Sequence, residues 1–132
     1  MSLTVSADLR AAAEAGQLDD AAFLACVRES LPCAYDMVRE LAGRLPAAEQ
    51  AGRSFVDNQT APGDAAQGQL LRALASTSIR SALERHFGVR IAFQNCHRVA
   101  VFSLAAEGTD AYRDFVSPLA QVLNQRPDLV NC

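Results

Sequence analysis

Residues 64–104 constrain the fold more than any other stretch. Asp64-Ala65-Ala66-Gln67 has the form of a capping box, in which Asp accepts a backbone N–H of the first turn and Gln reaches back. Leu71, Leu74, Ala75, Ile79, Ala82, Leu83 and His86 then recur at three- and four-residue steps, which predicts one long amphipathic helix over 64–87. Arg72, Ser76, Arg80 and Glu84 fall on its opposite face, where Arg80 and Glu84 form an i,i+4 pair. Gly88 stops the helix in the left-handed conformation that glycine adopts without steric cost. Two β-branched and aromatic runs follow, 89–93 and 99–102, and they predict a hairpin turning near Asn95. A two-residue turn at Asn95-Cys96 would place Arg98 among apolar side chains, which points instead to a longer turn or a bulge. A lone hairpin is marginal in water, so the strands need a helical cover and further strands, which a second copy of the chain could supply.

The remaining segments read as elements able to pack on this unit. Ser6 caps a short helix stopped by Gly16, and Asp19 caps a second running from Asp20 to near Glu29. Ser30-Leu31-Pro32 starts a third, since proline is tolerated in a first turn and not in an interior; its stripe Leu31, Tyr35, Val38, Leu41, Leu45 carries it to about residue 45. Asp36 and Glu40 on its other face can pair with Arg39 or Arg44. Pro46, Gly52, Asn58, Pro62 and Gly63 break the periodicity, so 46–63 reads as a long irregular tether anchored by Phe55-Val56. Thr109 and Ser117-Pro118 open two more helical segments, with Leu119, Val122 and Leu123 continuing a core stripe and Pro127 as the stop. The expected architecture is an α+β fold in one domain over 1–132. It has four to six helices around a small antiparallel sheet that includes a hairpin near residues 89–103.

Composition bears on function chiefly by exclusion. At 132 residues with 50% apolar content the chain can bury one sizeable core, and no apolar run reaches membrane-spanning length. All twelve basic residues are arginine and the net charge is −3, a balance that argues against a nucleic-acid backbone as partner. The charge is uneven: 1–50 carries eight acids against four Arg, whereas 67–104 carries five Arg against Glu84 alone. Such asymmetry can align two copies of the chain or take an acidic partner. The N-terminus lacks a secretory pattern and the four cysteines lack a CxxC pair, so the expectation is a cytoplasmic protein with reduced thiols.

Reactive side chains gather in sequence only at Cys96-His97. A thiol beside an imidazole is the minimal unit of a cysteine nucleophile or a soft-metal ligand pair, and both are the catalytic candidates. Cys132, Cys26 or His86 could complete a tetrahedral zinc site with them, although no spacing demands it. His86, in the last helical turn, also suits the helix dipole. No cofactor is expected. There is no GxxxxGK[ST], GxGxxG, HExxH or GxSxG motif.

Three blocks carry a resemblance. They are Gly68-Gln69-Leu70-Leu71-Arg72-Ala73-Leu74-Ala75, Ala82-Leu83-Glu84-Arg85-His86-Phe87-Gly88-Val89-Arg90 and Ala92-Phe93-Gln94-Asn95-Cys96-His97-Arg98-Val99-Ala100-Val101-Phe102. With Ser30-Leu31-Pro32 and Leu123-Asn124-Gln125, the chain resembles a family of small uncharacterised proteins from streptomycetes and other actinobacteria. The resemblance implies an intracellular actinobacterial setting and carries no reaction, cofactor or partner with it. The leading reading is a non-catalytic regulatory or protein-interaction domain acting as a homodimer. The alternative is a small enzyme, or a metal- or ligand-binding protein, with its site at Cys96-His97; a small-molecule ligand is compatible with both.

Overall fold

The computed structural model describes residues 3–125. Three N-terminal helices, α1 (Ala7–Glu14), α2 (Asp20–Ser30) and α3 (Pro32–Gln50), precede a short strand β1 (Phe55–Asp57). Helices α4 (Asp64–Leu74) and α5 (Thr77–Phe87) lead to strands β2 (Val89–Gln94) and β3 (Arg98–Ser103). A 3₁₀ turn over Leu104–Gly108, then α6 (Asp110–Phe115) and α7 (Pro118–Leu123), complete the described part. This is the expected α+β class. Capping by Ser6, Asp19, Thr109 and Ser117 is as predicted, each side-chain oxygen accepting a first-turn N–H.

The sheet is antiparallel throughout in the order β1-β3-β2. Its third strand comes from the segment read as an irregular tether, so the chain itself provides a strand that a second copy could have supplied. Phe55 pairs with Phe102 and Asp57 with Ala100. On one face Val56, Val89, Ile91, Val99 and Val101 meet the helical core of α2 to α5, formed by Leu24, Val27, Leu31, Val38, Leu41, Leu70, Leu74, Ile79 and Leu83. On the other, Ala92, Ala100 and Phe102 meet Ala106 and Phe115 of the C-terminal layer, with Phe55 and Tyr112 at the margin. The sheet is therefore covered on both faces. Phe102 lies across the sheet from Val89 and Ile91, because the hairpin turn has three residues, Asn95 to His97, with Gln94 opposite Arg98.

Three further expectations are corrected. First, α3 runs through Pro46 for another turn, because its buried stripe continues from Leu41 and Leu45 to Ala48, while Pro46 faces water. Second, the long helix over 64–87 is two helices broken at Ala75-Ser76. Ser76 caps α5 by accepting the Ile79 N–H, and the capping box at Asp64 does not form, since Gly63 is the cap residue and has no side chain to offer. Third, Leu119, Val122 and Leu123 are exposed and belong to no core cluster.

Candidate functional site

The hairpin tip holds the two catalytic candidates. Asn95 and Cys96 both take positive φ, 52° and 51°, which turns the backbone sharply enough to bring Arg98 back opposite Gln94. Cys96 and His97 are buried, together with Gln94 and, on α4, Gln67. Each of these polar groups has a structural partner. Gln67 Nε2 approaches Cys96 Sγ at 3.7 Å, Gln94 Nε2 donates to the Phe115 carbonyl at 2.8 Å, and His97 Nδ1 lies 2.7 Å from the Asn95 carbonyl. Asn58, just past β1, locks the tip from below. Its Nδ2 donates to the His97 carbonyl at 2.7 Å, and its Oδ1 accepts the Val99 N–H at 2.8 Å.

This network corrects the expectation of four reduced thiols, since Cys96 is disulfide-bonded while Cys26 and Cys33 are free. Cys26 is buried near the N-terminus, its Sγ 3.4 Å from the Thr4 carbonyl. His86 is exposed on α5, edge-on to Phe87, and lines a cavity of about 490 Å³ with Arg28, Tyr35 and Arg85. Cys132 lies outside the described residues. Among those described, no three His, Cys, Asp or Glu side chains come together in a way that could hold a metal ion.

A cavity of about 890 Å³ lies beside β1 and not at the tip proper. Gly43, Arg44 and Ala47 of α3 form one wall; Arg53, Phe55, Asp57 and Arg98 form the other. Arg98 is committed, paired with Asp57 at 2.9 Å and laid over the Phe115 ring. Arg44 donates to the Asp57 carbonyl at 3.2 Å, with Glu40 at 3.8 Å. The exposed Arg53 guanidinium has no partner among the described residues.

A third feature is the orientation of α7. α7 and the two residues after it are tied to the hairpin tip by polar side chains: Gln121 and Gln125 donate to Asn95 Oδ1, and Asn124 donates to Gln94 Oε1. Its apolar side chains face water, with Leu119 and Val122 each 67% and Leu123 75% exposed, and Val116 just before it half exposed. A solvated helix has the opposite arrangement.

The family model described as NucS shadow ORF matches residues 1–132. The chain belongs to that family. The description names a reading frame and no reaction, ligand or partner, in keeping with the uncharacterised family expected from the sequence. No curated protein and no solved structure matches the chain. Among the described residues no helix is long and apolar enough to cross a membrane.

Sequence reasoning missed Asn58, Gln67, Arg53 and the inverted face of α7. Asn58 was legible only as a loop breaker, because its clamp depends on a strand pairing 41 residues away.

Proposed function

We propose that the chain is a non-catalytic protein-interaction domain that pairs with a second copy of itself through α7. The observation that carries this reading is the outward row Leu119, Val122 and Leu123 on a helix held to the hairpin tip by Gln121 and by Asn124 just past its end. An isologous contact needs a patch complementary to itself. The α7 sequence PLAQVL carries no charge, so two copies meet without like-charge repulsion. The exposed Arg113 and Asp114 at its N-terminal border offer both signs to the partner. The patch is small, which suits a weak, reversible dimer with a dissociation constant on the order of micromolar.

Two other readings have less support. One is a nucleic-acid-binding module such as KH, which holds a single strand with a GXXG loop clamping the backbone. This chain has no two glycines at that spacing, and the exposed side of β2 is occupied by the carboxylate of Glu84. A reactive-thiol enzyme at Cys96-His97 fits poorly with a disulfide-bonded, buried sulfur. The test is sedimentation velocity on the full chain over a concentration series, beside Leu119→Asp and Val122→Asp. The expected result is a shift towards twice the chain mass that both variants abolish, with circular dichroism unchanged. Chain mass at every concentration overturns the proposal. So does a dimer that the variants leave intact, or a loss of thermal stability without any change in mass.

A further inference from the structure

The cavity beside β1 has features that neither the core nor α7 requires. Asn58 N–H bonds to the Val99 carbonyl, so by strand alternation the N–H of Val56 also points toward β3, while those of Phe55 and Asp57 point to the outer edge. Arg44 bonds the Asp57 carbonyl from that side, which confirms the direction. The Phe55 N–H and carbonyl and the Asp57 N–H are left aimed at the cavity. The opposite wall is shallow because Gly43 and Ala47 are one helical turn apart and exposed. Glycine inside a helix is destabilising relative to alanine. Neither backbone nor packing asks for it here, since Gly43 has no positive φ and a Cβ would meet nothing within 4 Å. Its small size does keep the groove open. At the mouth stands Arg53, unpaired, with Arg44 one wall away.

We propose that this groove binds an extended acidic peptide segment of another protein, which adds as a fourth strand on β1 and sets a carboxylate against Arg53. The backbone edge presents alternating donors and acceptors, which a peptide matches and a phosphodiester does not. Phe55 is packed against Phe102 and Phe115, so its ring is not offered to a nucleobase. The site is separate from α7, and Leu119→Asp retains it.

Fluorescence anisotropy with a labelled octapeptide of alternating valine and glutamate tests the proposal on the full chain. Binding is expected, weakened at least about tenfold by Arg53→Glu, an exposed charge reversal. Gly43→Trp, which fills the groove without touching the core, abolishes it. The same peptide N-methylated at its four central residues does not bind, because the backbone bonds are gone. The proposal is overturned if the octapeptide does not bind, if N-methylation or Gly43→Trp leaves its affinity unchanged, or if oligothymidylate binds in an Arg53-dependent way and the peptide does not.

Discussion

The carboxylate of Glu84 accepts the Ile91 N–H at 2.9 Å and lies 3.5 Å from Arg90, in a position where water hardly reaches it. Truncation to alanine leaves the Ile91 N–H at the sheet edge without its acceptor and Arg90 with Glu107 as its remaining partner, at 3.2 Å. Glu84→Ala is therefore expected to destabilise the fold by about 1.5–3 kcal/mol, measured by urea denaturation. Helical periodicity placed Glu84 on a polar face with Arg80, and that pairing is not what forms. Arg80 instead donates to the Leu74 carbonyl at the end of α4. A carboxylate on a helix reads as solvated until the strand that supplies its N–H is known, and that strand's position is a tertiary fact. A second residue-scale expectation concerns Asp20, whose carboxyl is held below its ordinary pKa by the hydrogen bonds from Arg85 at 2.8 and 3.0 Å. A depressed carboxylate stabilises the fold above its unfolded pKa, and that contribution is lost as pH falls through the folded one. NMR titration should find Asp20 below the usual aspartate range, and Arg85→Gln should return it there.

Helix ends were legible wherever a side chain caps its own helix, and obscure wherever the cap comes from elsewhere. Gln69 on α4 caps α3 by accepting the Cys33 N–H at 2.6 Å and the Ala34 N–H at 3.3 Å, a link across 36 residues that the sequence alone does not display. The break between α4 and α5 left a local trace, since Ser76 is a good cap residue, but the apolar stripe ran on across it and outweighed the signal. Its hydroxyl accepts the Ile79 N–H at 3.4 Å. Ser76→Ala should cost about 1 kcal/mol in thermal or denaturant unfolding. With α7 the periodicity was right and the direction was not. An amphipathic pattern says that a helix has two faces, and only the neighbours decide which one turns inward. Gln94 and Asn95 at the hairpin tip make that choice by offering oxygens to Gln121, Asn124 and Gln125.

For the molecule as a whole, the α+β class, the hairpin and the glycine stop at Gly88, where φ is 65°, followed from pattern alone. The third strand did not, because a three-residue run acquires meaning only beside β3. The tip residues singled out by chemistry are buried, whereas a cavity opens where β1 forms an edge. The two edges of the sheet differ in a way that matters for assembly. At β2 the Ile91 N–H is already taken by Glu84, whereas at β1 the Phe55 and Asp57 N–H groups face open space. A guest strand is therefore favoured at the β1 rim over the β2 rim, where one of the outward donors is already engaged. A chain lacking the Glu84 carboxylate would offer that donor at the second rim as well and lose one guard against edge-to-edge association.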